Sequence, residues 1–305
     1  MVLCNVSQQT KEFRQILIEG KCSTLSFEVF PPNTQVGTEK LITTLEELQQ
    51  LAPDFISVTC SNNRQTIEET TLKVADYIHT ELQVPTIAHL PAAYLDQAQV
   101  QRLVTRLDQI GIHQILALRG DIIPELPPKQ DFTYASDLID YVKQQAPHFH
   151  ISGACYPETH PESQNRIEDV KNLRRKVAGG CDQLITQLFF DNELFYQFQE
   201  SCDLADIKVP ILAGIMPIVN RKQALRLIKT TNTKLPRKFL AILEKYEHDP
   251  IALKEAGLAY AIDQIIDLAT QDVAGIHLYT MNNAEVAKHI YYNTKNVLKG
   301  QIEVR

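Results

Sequence analysis

The chain has 305 residues, 44% of them hydrophobic and 22% charged, with a formal net charge of -7. That composition excludes a disordered polypeptide and gives one large domain or two ordinary ones. The acidic balance excludes nucleic acid as the main partner, because no basic surplus exists to neutralise phosphates. The longest apolar run, 210–219, is too short to cross a bilayer. The first ten residues lack a basic region followed by an apolar core, so no signal peptide is expected. Six cysteines (Cys4, Cys22, Cys60, Cys155, Cys181, Cys202) are scattered without a CxxC pair. That pattern points to reduced thiols in a cytoplasmic protein and not to a zinc site.

Residues 7–19 predict a short helix. The first strand, 26–30, is closed by Pro31 and Pro32, which cannot continue a ladder. Residues 38–52 carry Leu41, Leu45, Leu48 and Leu51 at helical spacing. The same alternation then repeats. Strands are predicted over 55–60, 86–90, 114–118, 151–156, 183–189, 210–216 and 276–280. Helices follow over 66–82, 95–110, 134–146, 164–178, 192–204, 221–230 and 284–293. Two more, 236–246 and 251–269, precede the last strand.

Strands alternating with helices imply right-handed βαβ units and a parallel sheet. Eight units is the count that closes an α/β (β/α)8 TIM barrel. The expectation is therefore one barrel domain over 1–305, with an N-terminal helix and extra helices before the last strand. An open doubly wound sheet is the alternative. None of the eleven glycines forms a GxG, and no GxxxxGK[ST] occurs, so any nucleotide must be held another way. The loop 121–131, with three prolines, is the most irregular stretch.

The fourth strand ends abruptly in Arg119, Gly120 and Asp121. In a barrel the working groups sit where strands end. Those positions hold Glu28, Thr59, His89, Arg119, Asp121, Tyr156, Gln187 and Tyr279, a ring of polar groups around one mouth. Strand alternation puts Ser26, Glu28 and Phe30 on one face and Phe27 and Val29 on the other, beneath the helices. Glu28 then points inward. Desolvation there favours the neutral acid that a proton donor needs; a carboxylate satisfied by a buried arginine or backbone amides is the equal alternative. Glu28 and Asp121 lie in different settings and can divide labour, one neutral and one anionic. They suit a divalent metal equally well as carboxylates, but no HxH or HxxxH stands near them. On the helix after the fifth strand, Asp169, Asn172 and Lys176 share a face bordered by Arg175. This is either a solvated basic helix or an anion site for a pyrophosphate, with Asp169 taking ribose hydroxyls.

Seven segments carry a resemblance. They are Ser26-Phe27-Glu28-Val29-Phe30-Pro31-Pro32, Ser57-Val58-Thr59, Ala117-Leu118-Arg119-Gly120-Asp121, Tyr156-Pro157-Glu158-Thr159-His160-Pro161-Glu162, Leu173-Arg174-Arg175-Lys176, Ile185-Thr186-Gln187-Leu188-Phe189-Phe190-Asp191 and Tyr279-Thr280-Met281-Asn282. In this order they resemble the motif series of methylenetetrahydrofolate reductase, as a catalytic barrel without the regulatory domain of eukaryotic members. The resemblance implies a cytoplasmic flavoprotein, expected as a homo-oligomer, with small-molecule partners and no metal. It implies FAD as cofactor, NADH or NADPH as electron donor, and 5,10-methylenetetrahydrofolate reduced to the 5-methyl form that supplies methionine synthesis. By the same resemblance Glu28 is the general acid, and Asp121 stabilises cationic folate and tunes the flavin. Thr59, Cys60, His89, Arg119, Gly120, Asp121, Tyr134, Ala135, Tyr156, His160, Asp169, Asn172, Arg175 and Lys176 match FAD-binding positions, with Cys60 where an aromatic is common. Gln187, Gln223, Tyr279 and Asn283 match the substrate side. Asn283 stands where many members have Arg, and Leu227 where some have Phe. The rival readings are another FAD-linked barrel oxidoreductase, proline dehydrogenase-like, and a non-catalytic flavin-binding subunit.

Overall fold

The computed structural model describes residues 23–60, 67–122, 127–230 and 233–299; the helix expected over 7–19 lies outside them. Eight parallel strands pair in sequence order and close into a barrel. They are β1 (Thr24–Val29), β2 (Phe55–Val58), β3 (Thr86–Pro91), β4 (Gln114–Leu118), β5 (His150–Cys155), β6 (Gln183–Thr186), β7 (Ile211–Ile215) and β8 (Gly275–Tyr279). Around them run α1 (Gln35–Gln49), α2 (Lys73–Thr80), α3 (Gln97–Gln109), α4 (Ala135–Gln145), α5 (Arg166–Ala178), α6 (Asn192–Leu204), α7 (Arg221–Thr230), α8 (Arg237–Lys245), α9 (Pro250–Thr270) and α10 (Ala284–Leu298). The predicted alternation and the two extra helices before the last strand are all present.

Side-chain alternation builds two cores. Outward residues such as Phe27, Val29, Ile115 and Ala117 pack with Leu41, Leu45 and Leu48 of α1 and the other helix faces. Inward residues Phe55, Ile87, Leu116, Ile185 and Leu212 fill the barrel's lower interior. Helix starts are fixed by capping side chains. Asp96 and Gln99 form a capping box at α3, and Asn165 accepts the Glu168 amide at α5.

Two differences from the expectation each have a local reason. The helix expected over 66–82 begins as a π-helical turn, Glu68–Leu72, and only then becomes α2. Thr71 there turns its hydroxyl to the Thr59 carbonyl, 2.9 Å away. The strand expected over 183–189 stops at Thr186. Its continuation is bonded by α9 side chains in place of a ladder: Gln264 donates to the Phe189 carbonyl (3.0 Å) and Tyr260 to that of Phe190 (2.6 Å).

Helix α9 contacts the loop after β7 through Gly257. A Cβ built there would lie 1.8 Å from the Ile218 carbonyl oxygen. Helix propensity alone favours alanine at such a site by about 1 kcal/mol. Backbone overlap reverses the sign, so Gly257→Ala is expected to lower stability in urea denaturation. A stabilised variant would contradict this packing.

Candidate active site

The register of the barrel assembles the site. Across the β1–β8 pairing Ser26 faces His277 and Glu28 faces Tyr279; on the other side Glu28 faces Ser57. Glu28 points inward, as alternation predicts, with its side chain 20% exposed. Its Oε2 lies 3.7 Å from Nε2 of both His89 and His277. His277 is fully buried, with Nδ1 2.7 Å from Ser26 Oγ and Nε2 3.2 Å from Ser57 Oγ. Its ring stacks on Phe55 below and meets Tyr279 edge-on. Sequence reasoning missed His277, Ser26 and Ser57 as partners of Glu28. The signal was available, because period-two alternation on β8 turns His277 and Tyr279 to the same face.

His89, on β3, is buried, and its Nε2 has no hydrogen-bond partner. Burial pushes its pKa down to about 4; Glu28 opposes that shift and His277 adds to it. The imidazole is therefore neutral at physiological pH. A buried polar atom without a partner, beside the mouth, is a place where a bound molecule regains a hydrogen bond.

The loops after β4 and β5 face one another. Arg119 pairs with both carboxylate oxygens of Glu162, a partner the sequence did not reveal; Nη2 to Oε1 is 2.8 Å. Gly120 has φ +86, which favours glycine, and a Cβ there would meet Pro91 at 3.0 Å. Asp121 is exposed, and Tyr94 donates to its backbone carbonyl at 2.7 Å. Tyr156 stands edge-on to His160, ring centroids 4.6 Å apart. Its hydroxyl is pushed up to about 12, chiefly by burial and next by the Asp121 charge, so the two groups share the mouth. Thr59 and Cys60 follow β2; burial pushes the Cys60 thiol up to about 11, which makes it unreactive.

Several predicted site residues have structural bonds of their own. Asp169 uses both oxygens on its own loop, accepting from the His160 amide (3.0 Å) and the Ser163 hydroxyl (2.9 Å). Lys176 donates to the Ala154 carbonyl (2.6 Å), against β5, while exposed Arg175 donates to Asn172 (3.0 Å). Tyr279 donates to the Thr186 carbonyl (2.7 Å). Gln223 holds the loop after β7, donating to the Pro217 carbonyl and accepting from the Val219 amide. Asn283 caps α10 by accepting the Val286 amide. Gln187 accepts the Leu188 amide (2.9 Å), which leaves its amide nitrogen as the group it offers a ligand.

The chemistry of this donor set fits a flavin dinucleotide. Large apolar side chains stand exposed on the mouth loops, Phe30, Ile122, Tyr134 and Met281, where a planar ring system needs cover. Arg175, Lys176 and Asn172 supply donors suited to phosphate, and His89 supplies the unpartnered nitrogen. Ala135 is buried at the first turn of α4, behind exposed Tyr134.

A closed parallel barrel with its polar groups gathered at the carboxyl ends of the strands defines a (β/α)8 barrel of the enzyme type. The sequence profile of the family described as methylenetetrahydrofolate reductase matches residues 12–295. The 5,10-methylenetetrahydrofolate reductases of Pectobacterium carotovorum and Escherichia coli K12 are each 34% identical over 270 residues, covering 88% of this chain and 89% and 90% of theirs. A protein of Arabidopsis thaliana named methylenetetrahydrofolate reductase (NADH) 1 is 31% identical over 89% of this chain and 48% of its own length. The chain belongs to the methylenetetrahydrofolate reductase family. Its fold is also that of a solved Clostridium thermocellum protein described as binding two copies of 5-methyl-5,6,7,8-tetrahydrofolic acid, with TM-score 0.66 and 15% identity over 93% of this chain and 100% of that one. Among the described residues no helix is long and apolar enough to cross a membrane.

The depressed His89 pKa has a measurable consequence. Unfolded, this imidazole takes up a proton near 6.5; folded, it does so near 4. Between those values the unfolded state binds more protons, so stability falls as pH drops from about 6.5 towards 4. His89→Asn removes that contribution. The stability difference between wild type and variant is expected to shrink by roughly 2 kcal/mol between pH 7 and pH 5 in urea titrations. A difference that does not change with pH would contradict the buried neutral imidazole.

Proposed function

We propose that the protein reduces 5,10-methylenetetrahydrofolate to 5-methyltetrahydrofolate, with FAD as cofactor and NADH or NADPH as electron donor. The observation that supports this most directly is Glu28, held inward at the mouth between His89 and His277, in a chain of this family. Bound FAD would supply hydride transfer between the nicotinamide and the folate. All other steps fall to the protein's side chains.

Glu28 donates a proton to the folate nitrogen that leaves the one-carbon unit, opening the imidazolidine ring to an iminium cation. Its inward position and limited contact with water suit a proton donor. Asp121 keeps a negative charge at the mouth that stabilises this cation. Being exposed, it acts most strongly once the bound molecules exclude water around it. Gln187 orients folate or nicotinamide through its amide nitrogen. Gln223, Tyr279 and Asn283 shape the folate side, and their bonds to backbone hold the loops that form it. Thr59, Cys60, His89, Arg119, Gly120, Tyr134, Ala135, Tyr156, His160, Asp169, Asn172, Arg175 and Lys176 hold FAD, with Arg175 and Lys176 on the pyrophosphate and Asp169 keeping the loop before them in shape. The product supplies methyl groups for methionine synthesis, and the enzyme works in the cytoplasm as a homo-oligomer.

The test is spectroscopic. The purified protein is expected to carry about one FAD per chain, to bleach with NADH or NADPH under anaerobic conditions, and to recover its flavin absorbance on addition of 5,10-methylenetetrahydrofolate. Bleaching without recovery by folate would point to a different flavin-linked barrel oxidoreductase. A colourless protein that cannot be reconstituted with FAD would overturn the proposal.

A further inference from the structure

A second constellation lies at the other end of the barrel, where the strands begin. Asp108 occupies the last turn of α3, His113 directly precedes β4, and His148 lies two residues before β5. The Nε2 atoms of His113 and His148 are 3.1 Å and 2.9 Å from the same oxygen, Asp108 Oδ1. One ligand atom from each residue lies within 4.8 Å of the other two, and no other such group of histidine, cysteine or carboxylate side chains occurs among the described residues.

Hydrogen bonding alone accounts for two neutral imidazoles donating to one carboxylate. Three further observations suit a metal ion at this point. The first is distance. Ligand atoms held at about 2.0–2.1 Å around a tetrahedral zinc ion are separated by about 3.3 Å. Both histidine–aspartate separations are within a few tenths of an ångström of that edge. The second is charge. Asp108 stands at the carboxyl end of α3, where the helix dipole is negative and an anion is unfavourable. A divalent cation at Asp108 reverses that penalty, which neutral imidazoles cannot do. The third is rigidity combined with access. The His113 side chain is only 3% exposed and its ring lies edge-on to Phe149 at 5.7 Å, while its carbonyl accepts the His150 amide at 2.8 Å. Asp108 and His148 are 50% and 40% exposed, so an ion can enter and water can complete its coordination.

We propose that Asp108, His113 and His148 form a binding site for a zinc-type divalent cation, completed by water, that clips the end of α3 to the starts of β4 and β5. It stands apart from Glu28 and the mouth, so its role is structural. The three ligands come from three separate elements, and no sequence spacing betrays them.

The probes are Zn2+ and Co2+, added to the tag-free protein after chelator treatment. Calorimetry is expected to show one Zn2+ per chain, bound at least tenfold more weakly by both His148→Ala and Asp108→Asn. Co2+ should give visible absorption bands of a four- or five-coordinate site in the wild type and lose them in both variants. Zn2+ should raise the unfolding temperature of the wild type only. Both substituted residues are exposed, and circular dichroism establishes that the variants remain folded. Absence of Zn2+ binding by the wild type, or an unchanged affinity in either variant, would overturn the site and leave Asp108 as a hydrogen-bond acceptor alone.

Discussion

An acidic side chain inside a barrel needs partners, and the seam between β1 and β8 supplies them. Ser26 sits opposite His277 and Glu28 opposite Tyr279 because the last strand closes in parallel on the first. The seam is fastened beyond the ladder. Thr280 donates to the Glu28 carbonyl at 2.7 Å, and Asn282 bonds both the amide and the carbonyl of Phe30, at 3.0 and 2.8 Å. Met281 and Asn282 both adopt positive φ to make this possible, at 52° and 54°. Such backbone costs on the order of 1 kcal/mol or more per residue and persists only where the surroundings over-determine it. The two Asn282 bonds are that over-determination, and they fix the backbone at Phe30, two residues beyond Glu28.

The interior below Glu28 changes character with depth. Phe55, Ile87, Leu116, Ile185 and Leu212 form a dry floor. Above it lie Ser57, His277 and His89, and then the open mouth. The Glu28 carboxyl group thus stands at the boundary between an apolar core and a solvated rim. At the rim the half-buried Arg119 pairs with the exposed Glu162, and Arg175 stands exposed on α5.

Much of this was legible in the sequence. The alternation of apolar runs and helical stripes predicted eight strands in order, and alternation within the first strand predicted the inward turn of Glu28. Both follow from side-chain periodicity, which depends on few long-range facts. The π-helical turn before α2 and the early end of β6 were not legible, because they depend on tertiary contacts, with Thr59 and with α9. The same holds for the pairing of Arg119 with Glu162. Asn283 is instructive in another way. Matched in sequence to the substrate side, it serves in the structure as the N-cap of α10. Asp121, at the end of a buried strand, stands exposed because the chain leaves the barrel between Leu118 and Gly120.

The central claim is that Glu28 serves proton donation to folate and not hydride transfer from the nicotinamide. The most direct measurement is anaerobic stopped-flow of the two half-reactions in Glu28→Gln, which keeps the side chain's shape and removes its acid. The account predicts flavin reduction by NADH or NADPH at close to the wild-type rate, and reoxidation by 5,10-methylenetetrahydrofolate slowed by roughly 10²-fold or more. Equal losses in both half-reactions, or normal reoxidation by folate, would contradict it.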